Sequence, residues 1–257
     1  MLRILPSSEA GALIERRAAR LTEAERTVAP ILEDVRARGD AALLDYARKF
    51  DAFEGTSFVE EARPRLDPTF RSAVKQAAGN IRRYSRRQVP RSWSARFPEG
   101  HRAGQIVRPL DSMAAYIPAG RYPLPSTLLM TVIPAQAAGV ARTYVASPRP
   151  SPEILGIARY LKVTSVFRLG GAHAIAAFAF GTETVPKVDR IVGPGNVYVA
   201  AAKKLLAGEV GIDFVAGPTE VVIVASDGDP RVIATDMLAQ AEHDVEACLL
   251  YTSPSPR

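Results

Sequence analysis

The fold is decided by the stretch RIVGPGNVYVAAAKKLL, residues 190–206. A short apolar run, Arg190–Val192, passes through the turn Gly193-Pro194-Gly195-Asn196 into an apolar segment of helical length, Val197–Leu206. A strand, a glycine turn and a helix in this order are typical of one unit of a parallel α/β sheet. We therefore predict parallel strands joined by helices wherever the same order recurs.

The order recurs on both sides of this stretch. The predicted strands are Met113–Ile117, Thr143–Ala146, Ser165–Leu169 and Glu220–Ala225, and the helices among them are Thr127–Ala138, Glu153–Leu161 and one from Gly170-Gly171 through Phe180. Helical crossovers between parallel strands are right-handed, so helices cover both faces of the sheet. The prediction is an α/β fold with a Rossmann-like, doubly wound parallel sheet, whose ligands bind beyond the carboxyl ends of the strands.

The chain before this sheet is predicted to be mostly helical. Apolar residues recur at helical spacing through residues 29–50, and Gly39-Asp40 divides them into two helices. Asp67-Pro68 begins another helix, which ends before Pro90, and residues 100–109 are extended or form a hairpin. We predict that residues 1–112 are the helical part of a first, truncated α/β domain, that residues 113–219 form the Rossmann-like domain, and that residues 220–247 return to the first.

Composition excludes several kinds of site. Cys248 is the single cysteine of the 257 residues, so an intrachain disulfide and a thiolate zinc site are both excluded. The histidines are His101, His173 and His243. The chain has no apolar run of membrane-spanning length, and its start lacks the pattern of a signal peptide, so we expect a cytoplasmic protein without a membrane partner.

The net charge of +6 allows two interpretations of a basic segment between Arg71 and Arg108. The Arg82–Arg87 region could bind nucleic acid, which would make the chain a basic, non-catalytic protein. It could also be an ordinary solvated helical face. We favour the second interpretation, because neither an aromatic stacking motif nor zinc-finger spacing accompanies the arginines.

The glycine turns are the candidate ligand sites. The turn at residues 193–196 could present a helix N-terminus to a phosphate, or it could be an ordinary tight turn. Gly170-Gly171-Ala172-His173 has the same context, and His173 could contact a ligand or be a satisfied surface histidine. Thr219 could hydrogen-bond a substrate or order its loop.

A helix predicted to begin at Asp229-Pro230 carries two further candidates. Gln240 and His243 are three residues apart and share one face of that helix. An amide oxygen and an imidazole placed in this way could bind zinc together, although the spacing fits plain surface residues as well.

Several motifs together resemble the histidinol dehydrogenase family. They are collinear and cover nearly everything up to Ala247: Arg38–Leu43, Phe50-Asp51, Tyr116–Gly120, Pro125–Met130, Val192–Asn196, Ala216–Val221 and Gln240–Asp244. The resemblance implies a homodimeric enzyme that uses zinc and NAD to oxidise L-histidinol to L-histidine through histidinal. A paralogous NAD-dependent dehydrogenase acting on another amino or hydroxy compound is the alternative on the same scaffold.

The resemblance also implies roles for six residues. Tyr116, His173 and Asn196 match positions that contact NAD, although the family usually has Gln where this chain has His173. Thr219 stands where Ser is frequent and would contact the substrate. Gln240 and His243 match two zinc ligands that also lie against the substrate.

The last ten residues, CLLYTSPSPR at 248–257, resemble the translation of a sequencing adapter. A genuine strand over Cys248–Thr252 is the alternative, but we expect the natural sequence to stop near Ala247. The resemblance implies that the general-base His and its neighbouring Glu lie farther along, with the remaining zinc ligands and a dimer segment. We therefore expect no catalytic residue in this chain, no dehydrogenase activity, weak zinc binding and exposed apolar surface.

Overall fold

The computed structural model describes residues 10–61, 64–119, 124–215, 223 and 227–243, with side chains between residues 21 and 239. Contacts divide the chain into two compact units, Met1–Val215 and Ala216–Arg257. The first unit contains, in chain order, α1 (Ala10–Arg38), α2 (Asp40–Asp51), α3 (Pro68–Gln88), β1 (Trp93–Arg96), β2 (Arg102–Gln105), β3 (Ser112–Tyr116), α4 (Pro125–Ala137), β4 (Arg142–Ala146), α5 (Pro152–Tyr160), β5 (Ser165–Phe167), α6 (Gly171–Phe180), β6 (Arg190–Val192), α7 (Val197–Leu205) and β7 (Gly211–Ile212). The second unit contains α8 (Pro230–His243).

The main sheet has five strands in the order β5-β4-β3-β6-β7, and every pair in it is parallel. Chain order runs outward from β3 in one direction through β4 and β5, and in the other through β6 and β7. The strand order therefore reverses between β3 and β6, where Ala115 pairs with Val192. The predicted parallel α/β sheet is confirmed, and the reversal places the expected ligand crevice beyond the ends of β3 and β6.

Both faces of the sheet are covered, because alternate residues of each strand point to opposite sides. Ala114 and Tyr116 of β3 belong to one buried cluster, which includes residues of α1, α2, α6 and α7. Met113 and Ala115 belong to the other, with residues of α3, α4 and α5. All five residues of β3 are buried, as expected for a central parallel strand. The doubly wound arrangement is therefore confirmed.

The N-terminal helices pack on this sheet within the same compact unit. The chain divides at Gly39, whose φ of 55° lies in the left-handed region, as the Gly39-Asp40 pair predicted. Asp67 caps α3 by accepting hydrogen bonds from the backbone N–H groups of Thr69 and Phe70, which confirms the predicted helix start. The domain boundaries at residues 112 and 219 stay predictions.

Two smaller expectations have structural outcomes. Residues 100–109 contribute β2, which pairs antiparallel with β1 in an exposed hairpin. Within the described ranges, every helix is too short or too polar to cross a bilayer. The predicted strand Glu220–Ala225, apart from Ile223, and the segment Cys248–Arg257 lie outside the described residues.

Candidate functional site

The candidate site is the carboxyl edge of the sheet, at the point between β3 and β6 where the strand order reverses. Tyr116 ends β3, the turn at residues 193–196 follows β6, and the turn at residues 170–171 follows β5. Each turn leads directly into a helix N-terminus, which carries partial positive charge. Two of the three predicted NAD contacts, Tyr116 and Asn196, are thus brought to this edge.

The turn at residues 193–196 passes very close to the end of β3. Gly193 has a φ of 113°, and a Cβ atom built on it would lie 2.3 Å from the carbonyl oxygen of Tyr116. Only glycine fits this conformation and this spacing. Asn196 then caps α7, because its Oδ1 accepts from the N–H groups of Tyr198 and Val199, each at 3.1 Å.

Both backbone groups of Gly193 are bound by side chains that the sequence reasoning missed. The N–H of Gly193 donates to Oδ2 of Asp213 at 2.8 Å. The carbonyl oxygen of Gly193 accepts from Nζ of Lys203 at 3.0 Å, and Lys203 also forms an ion pair with Oδ1 of Asp213. Lys203 is only 1% exposed, so a formal charge is buried beneath the turn.

The turn at residues 170–171 is held by a similar set of contacts. The N–H of Gly170 donates to Oδ2 of Asp51 at 2.8 Å, and the N–H of Gly171 donates to the hydroxyl of Tyr116 at 3.0 Å. Nε2 of His173 lies 2.9 Å from the same oxygen of Asp51. The turn is therefore joined to α2 through Asp51 and to β3 through Tyr116.

His173 is not a surface residue, so that alternative is wrong. Its side chain is 1% exposed and lies beside the rings of Tyr46 and Phe50, with centroids 6.0 and 6.3 Å away. The burial follows from the position of α2, which packs against α6 and carries both rings and Asp51. Sequence spacing gave no sign of this, because Asp51 and His173 are 122 residues apart.

Tyr116 contributes a neutral hydroxyl to this edge. Burial raises the pKa of Tyr116 to about 12, and the negative charge of Asp51 adds to the effect, while the hydrogen bond from the Gly171 N–H opposes it. The phenol thus stays protonated throughout the neutral range, and it acts as a hydrogen-bonding group rather than as a base.

The second unit carries the predicted metal ligands. Asp229 caps α8 by accepting from the N–H of Arg231 at 2.9 Å, which confirms the predicted helix start. Gln240 and His243 are both in α8, and their spacing places them on one face of it. Their side chains, and all of Thr219, lie outside the described residues.

Two further features of the described part of the chain bear on function. A search of the residues that the structure describes finds no group of three or more His, Cys, Asp or Glu side chains that could hold a metal ion. On α3, Arg83, Arg86 and Arg87 are exposed, and Arg82 is half-buried. This is the geometry of a solvated helical face, while the absence of nucleic-acid binding stays a prediction.

Comparisons with known proteins agree on one family. The model of the histidinol dehydrogenase family matches residues 14–257. The histidinol dehydrogenase of Methanothermobacter thermautotrophicus is 44% identical over 256 residues, covering 95% of this chain and 60% of that protein. The histidinol dehydrogenase of Geobacillus kaustophilus is also 44% identical, over 246 residues, covering 91% of this chain and 58% of that protein.

A solved structure shares the fold. The crystal structure of histidinol dehydrogenase from Elizabethkingia anophelis matches with a TM-score of 0.80 and 35% sequence identity. The match covers 86% of this chain and 54% of the solved chain. The chain thus spans between 54% and 60% of the length of these three relatives.

Proposed function

Because the chain belongs to the histidinol dehydrogenase family, we propose that it supplies the dinucleotide-binding part of a homodimeric enzyme that oxidises L-histidinol to L-histidine through histidinal. The electron acceptor in this proposal is NAD, and the metal is zinc. The observation that carries it is the tight passage of Gly193 past the carbonyl oxygen of Tyr116 at the reversal point of the sheet.

The residues of this edge fit a dinucleotide. Gly193 lets the backbone approach a ligand closely, and the N-terminus of α7 lies directly behind it, which suits a pyrophosphate. Asn196 is exposed and uses Oδ1 for its cap, so the Nδ2 group of the same amide can donate to the cofactor. The neutral hydroxyl of Tyr116 can serve as a further polar contact. NAD supplies hydride acceptance when it is bound.

His173 enters the proposed NAD site through the turn that it supports. Its imidazole is buried against Asp51, and Asp51 holds the N–H of Gly170. We propose that His173 holds Asp51 in place, and that Asp51 holds the first turn of α6 where it contacts the cofactor. A glutamine at residue 173 could also donate to Asp51, so the histidine found here preserves the hydrogen bond that the usual glutamine of the family could make.

The zinc proposal rests on α8. Gln240 and His243 occupy one face of a helix, and an amide oxygen and a neutral imidazole are both acceptable ligands of this ion. Gln240 and His243 would hold the zinc ion, which would supply Lewis acidity toward the alcohol oxygen of the substrate. Thr219 would add a hydroxyl contact to histidinol. Two protein ligands rarely hold zinc tightly, so we propose that this chain alone binds zinc weakly and does not turn over histidinol.

The cofactor proposal is tested by calorimetric titration of the chain with NAD and by one substitution that keeps the fold. Asn196→Asp preserves an oxygen that caps α7, but it removes the Nδ2 donor and places a negative charge where the pyrophosphate would bind. We expect NAD affinity to fall roughly tenfold or more while thermal stability is unchanged.

The control is Ser151→Asp, which also places a new carboxylate at the cap of a helix, α5, away from the proposed site. This control should leave NAD affinity unchanged. If both variants bind NAD as tightly as the unmodified chain, the cofactor does not use the N-terminus of α7, and the proposed site is wrong.

The assignment of chemistry is tested by adding histidinol to the NAD-loaded chain and following NADH absorbance. We expect no NADH from this chain, and little zinc after dialysis. Rapid NADH formation would show that the residues present are sufficient for turnover, which contradicts the proposal that this chain alone does not turn over histidinol.

A further inference from the structure

We propose that Lys203 and Asp213 are positioning residues, which clamp Gly193 and hold the turn at residues 193–196 in the geometry that accepts a dinucleotide. This inference rests on the proposed function and deepens it. It assigns to the ion pair of a buried lysine a role that the motifs of the turn do not reveal.

Gly193, Lys203 and Asp213, which we call the clamp, each contact the other two. Asp213 accepts from the N–H of Gly193, Lys203 donates to the carbonyl oxygen of Gly193, and the two side chains form an ion pair with each other. Asp213 also accepts from the N–H of Phe214 at 2.8 Å, which fixes the carboxylate to its own loop. Gly193 therefore cannot rotate either flanking peptide without breaking a buried polar contact.

The side chains of the clamp supply hydrogen bonds that the sheet does not provide to Gly193. Gly193 follows the last residue of β6 and lies beyond the pairing of β6 with β7, in which Arg190 pairs with Gly211 and Ile191 with Ile212. Gly193 is a buried residue, so its N–H and carbonyl groups both require partners. Side chains from α7 and from the segment after β7 provide them, and so join three elements at one residue.

Charge also matters at this position. A carboxylate alone beneath the turn would repel a pyrophosphate, because a partly buried charge is screened less than an exposed one. Lys203 neutralises Asp213 within the clamp. Loss of the lysine therefore removes a backbone contact and exposes the bound anion to an uncompensated negative charge, whereas loss of the aspartate charge does not.

The two losses should therefore change NAD affinity differently, and this difference separates a positioning role from mere structural support. Lys203→Met should weaken NAD binding roughly ten- to hundredfold. Asp213→Asn keeps an acceptor for the N–H of Gly193 and removes the negative charge, so it should bind NAD as tightly as the unmodified chain or more tightly. A purely structural role predicts that both variants lose affinity together with stability.

The double variant Lys203→Met/Asp213→Asn keeps the test valid if the single lysine variant does not fold, because it buries no unpaired carboxylate. It should recover part of the lost affinity. The control is Lys204→Met, which changes the next residue of α7. The Lys204 side chain is 47% exposed, and the substitution removes its ion pair with Glu25. This control should leave affinity unchanged.

The experiment is a calorimetric NAD titration of all five proteins, together with hydrogen exchange of the Gly193 amide by NMR. Faster exchange at Gly193 in Lys203→Met but not in Lys204→Met, with the affinity order given above, supports the inference. Equal affinities for Lys203→Met and Lys204→Met, or equal losses for Lys203→Met and Asp213→Asn, overturn it.

If the unmodified chain does not bind NAD, the cofactor part of the proposed function fails. The clamp is then decided by exchange alone. Unchanged protection of the Gly193 amide in Lys203→Met would show that the ion pair does not hold the turn.

Discussion

Two glycine turns at the same edge of the sheet are held in place by different chemistry. At the first turn of α7, Asp213 binds the N–H of Gly193 and pairs with a buried lysine. At the first turn of α6, Asp51 binds the N–H of Gly170 and pairs with a buried histidine. In each case a carboxylate from another element holds a glycine N–H and is matched by a buried basic side chain of the helix that follows.

The difference between the turns lies in how the helix N-terminus is satisfied. Asn196 caps α7 from within its own turn, whereas the N–H of Gly171 is bound by Tyr116, a residue of the neighbouring strand. The α7 turn is therefore built by local residues and an ion pair of fixed charge. The α6 turn depends on α2 and β3, so its geometry depends on the packing of the N-terminal helices.

The largest expected effect is at the α6 turn. Asp51→Ala leaves the N–H of Gly170 and Nε2 of His173 buried without their carboxylate, and we expect a loss of about 3 to 5 kcal/mol in the free energy of unfolding. The measurement is urea denaturation. Asp45→Ala, in the same helix, removes a carboxylate that is 59% exposed and should change little. Equal losses in the two variants would mean that Asp51 does not support the turn.

The next largest effect sharpens the account of the α7 turn. Gly193→Ala combines a strained φ with a clash against the backbone of Tyr116, and we expect a loss of about 3 kcal/mol. Gly208→Ala is the control, because Gly208 has a similar φ of 103° with open space where Cβ would lie. It should cost about 1 kcal/mol, which is the strain alone. Thermal denaturation that ranks both variants equally would contradict the close approach at Gly193.

Tyr116 touches both turns, and its ionisation gives a pH test. The folded state keeps the phenol protonated up to a pKa of about 12, while the unfolded chain ionises near the ordinary value of 10.0. Stability should therefore fall as pH rises from about 10 to about 12, by roughly 2 kcal/mol. In Tyr116→Phe this part of the alkaline loss should be absent, whereas Tyr84→Phe, at a ring that is 68% exposed, should retain it. Parallel pH profiles for both variants would show that Tyr116 is not the group responsible.

The smallest effect provides a baseline away from both turns. A hydrogen bond from Arg38 lowers the pKa of Asp34 to about 2, on an exposed surface. Its contribution to stability is complete above the ordinary value of 3.8 and is lost as pH falls toward 2. Asp34→Asn should lower stability slightly at neutral pH and remove this part of the loss on acidification, so its acid limb should be slightly flatter. Acid titration followed by circular dichroism measures this, and a large change at neutral pH would contradict the exposed setting.

The strand, turn and helix series could be predicted from sequence because each unit is encoded locally. Val192 to Val197 carries its own signals: a strand end, two glycines and a capping Asn196. The reversal of strand order at β3 could not be predicted in this way, since strand order depends on packing between segments that are far apart in sequence. The structure supplied that order.

The supporting pairs could not be predicted in the same way. Asp51 and Gly170 are 119 residues apart, and no local pattern connects them. Lys203 did leave a signal, because it lies four residues after the buried Val199 and so falls on the inner face of α7. A lysine on a buried helical face requires a partner, and that argument alone would have identified it as unusual.

The most direct test of the central account is a titration of the chain with NAD followed by backbone amide chemical shifts. We predict that the largest changes fall at Tyr116, at residues 170–173 and at residues 193–198, with the exposed hairpin of β1 and β2 unaffected. Shifts that are absent at these turns, or that concentrate on α3 and the hairpin, would contradict a dinucleotide site at the reversal point of the sheet.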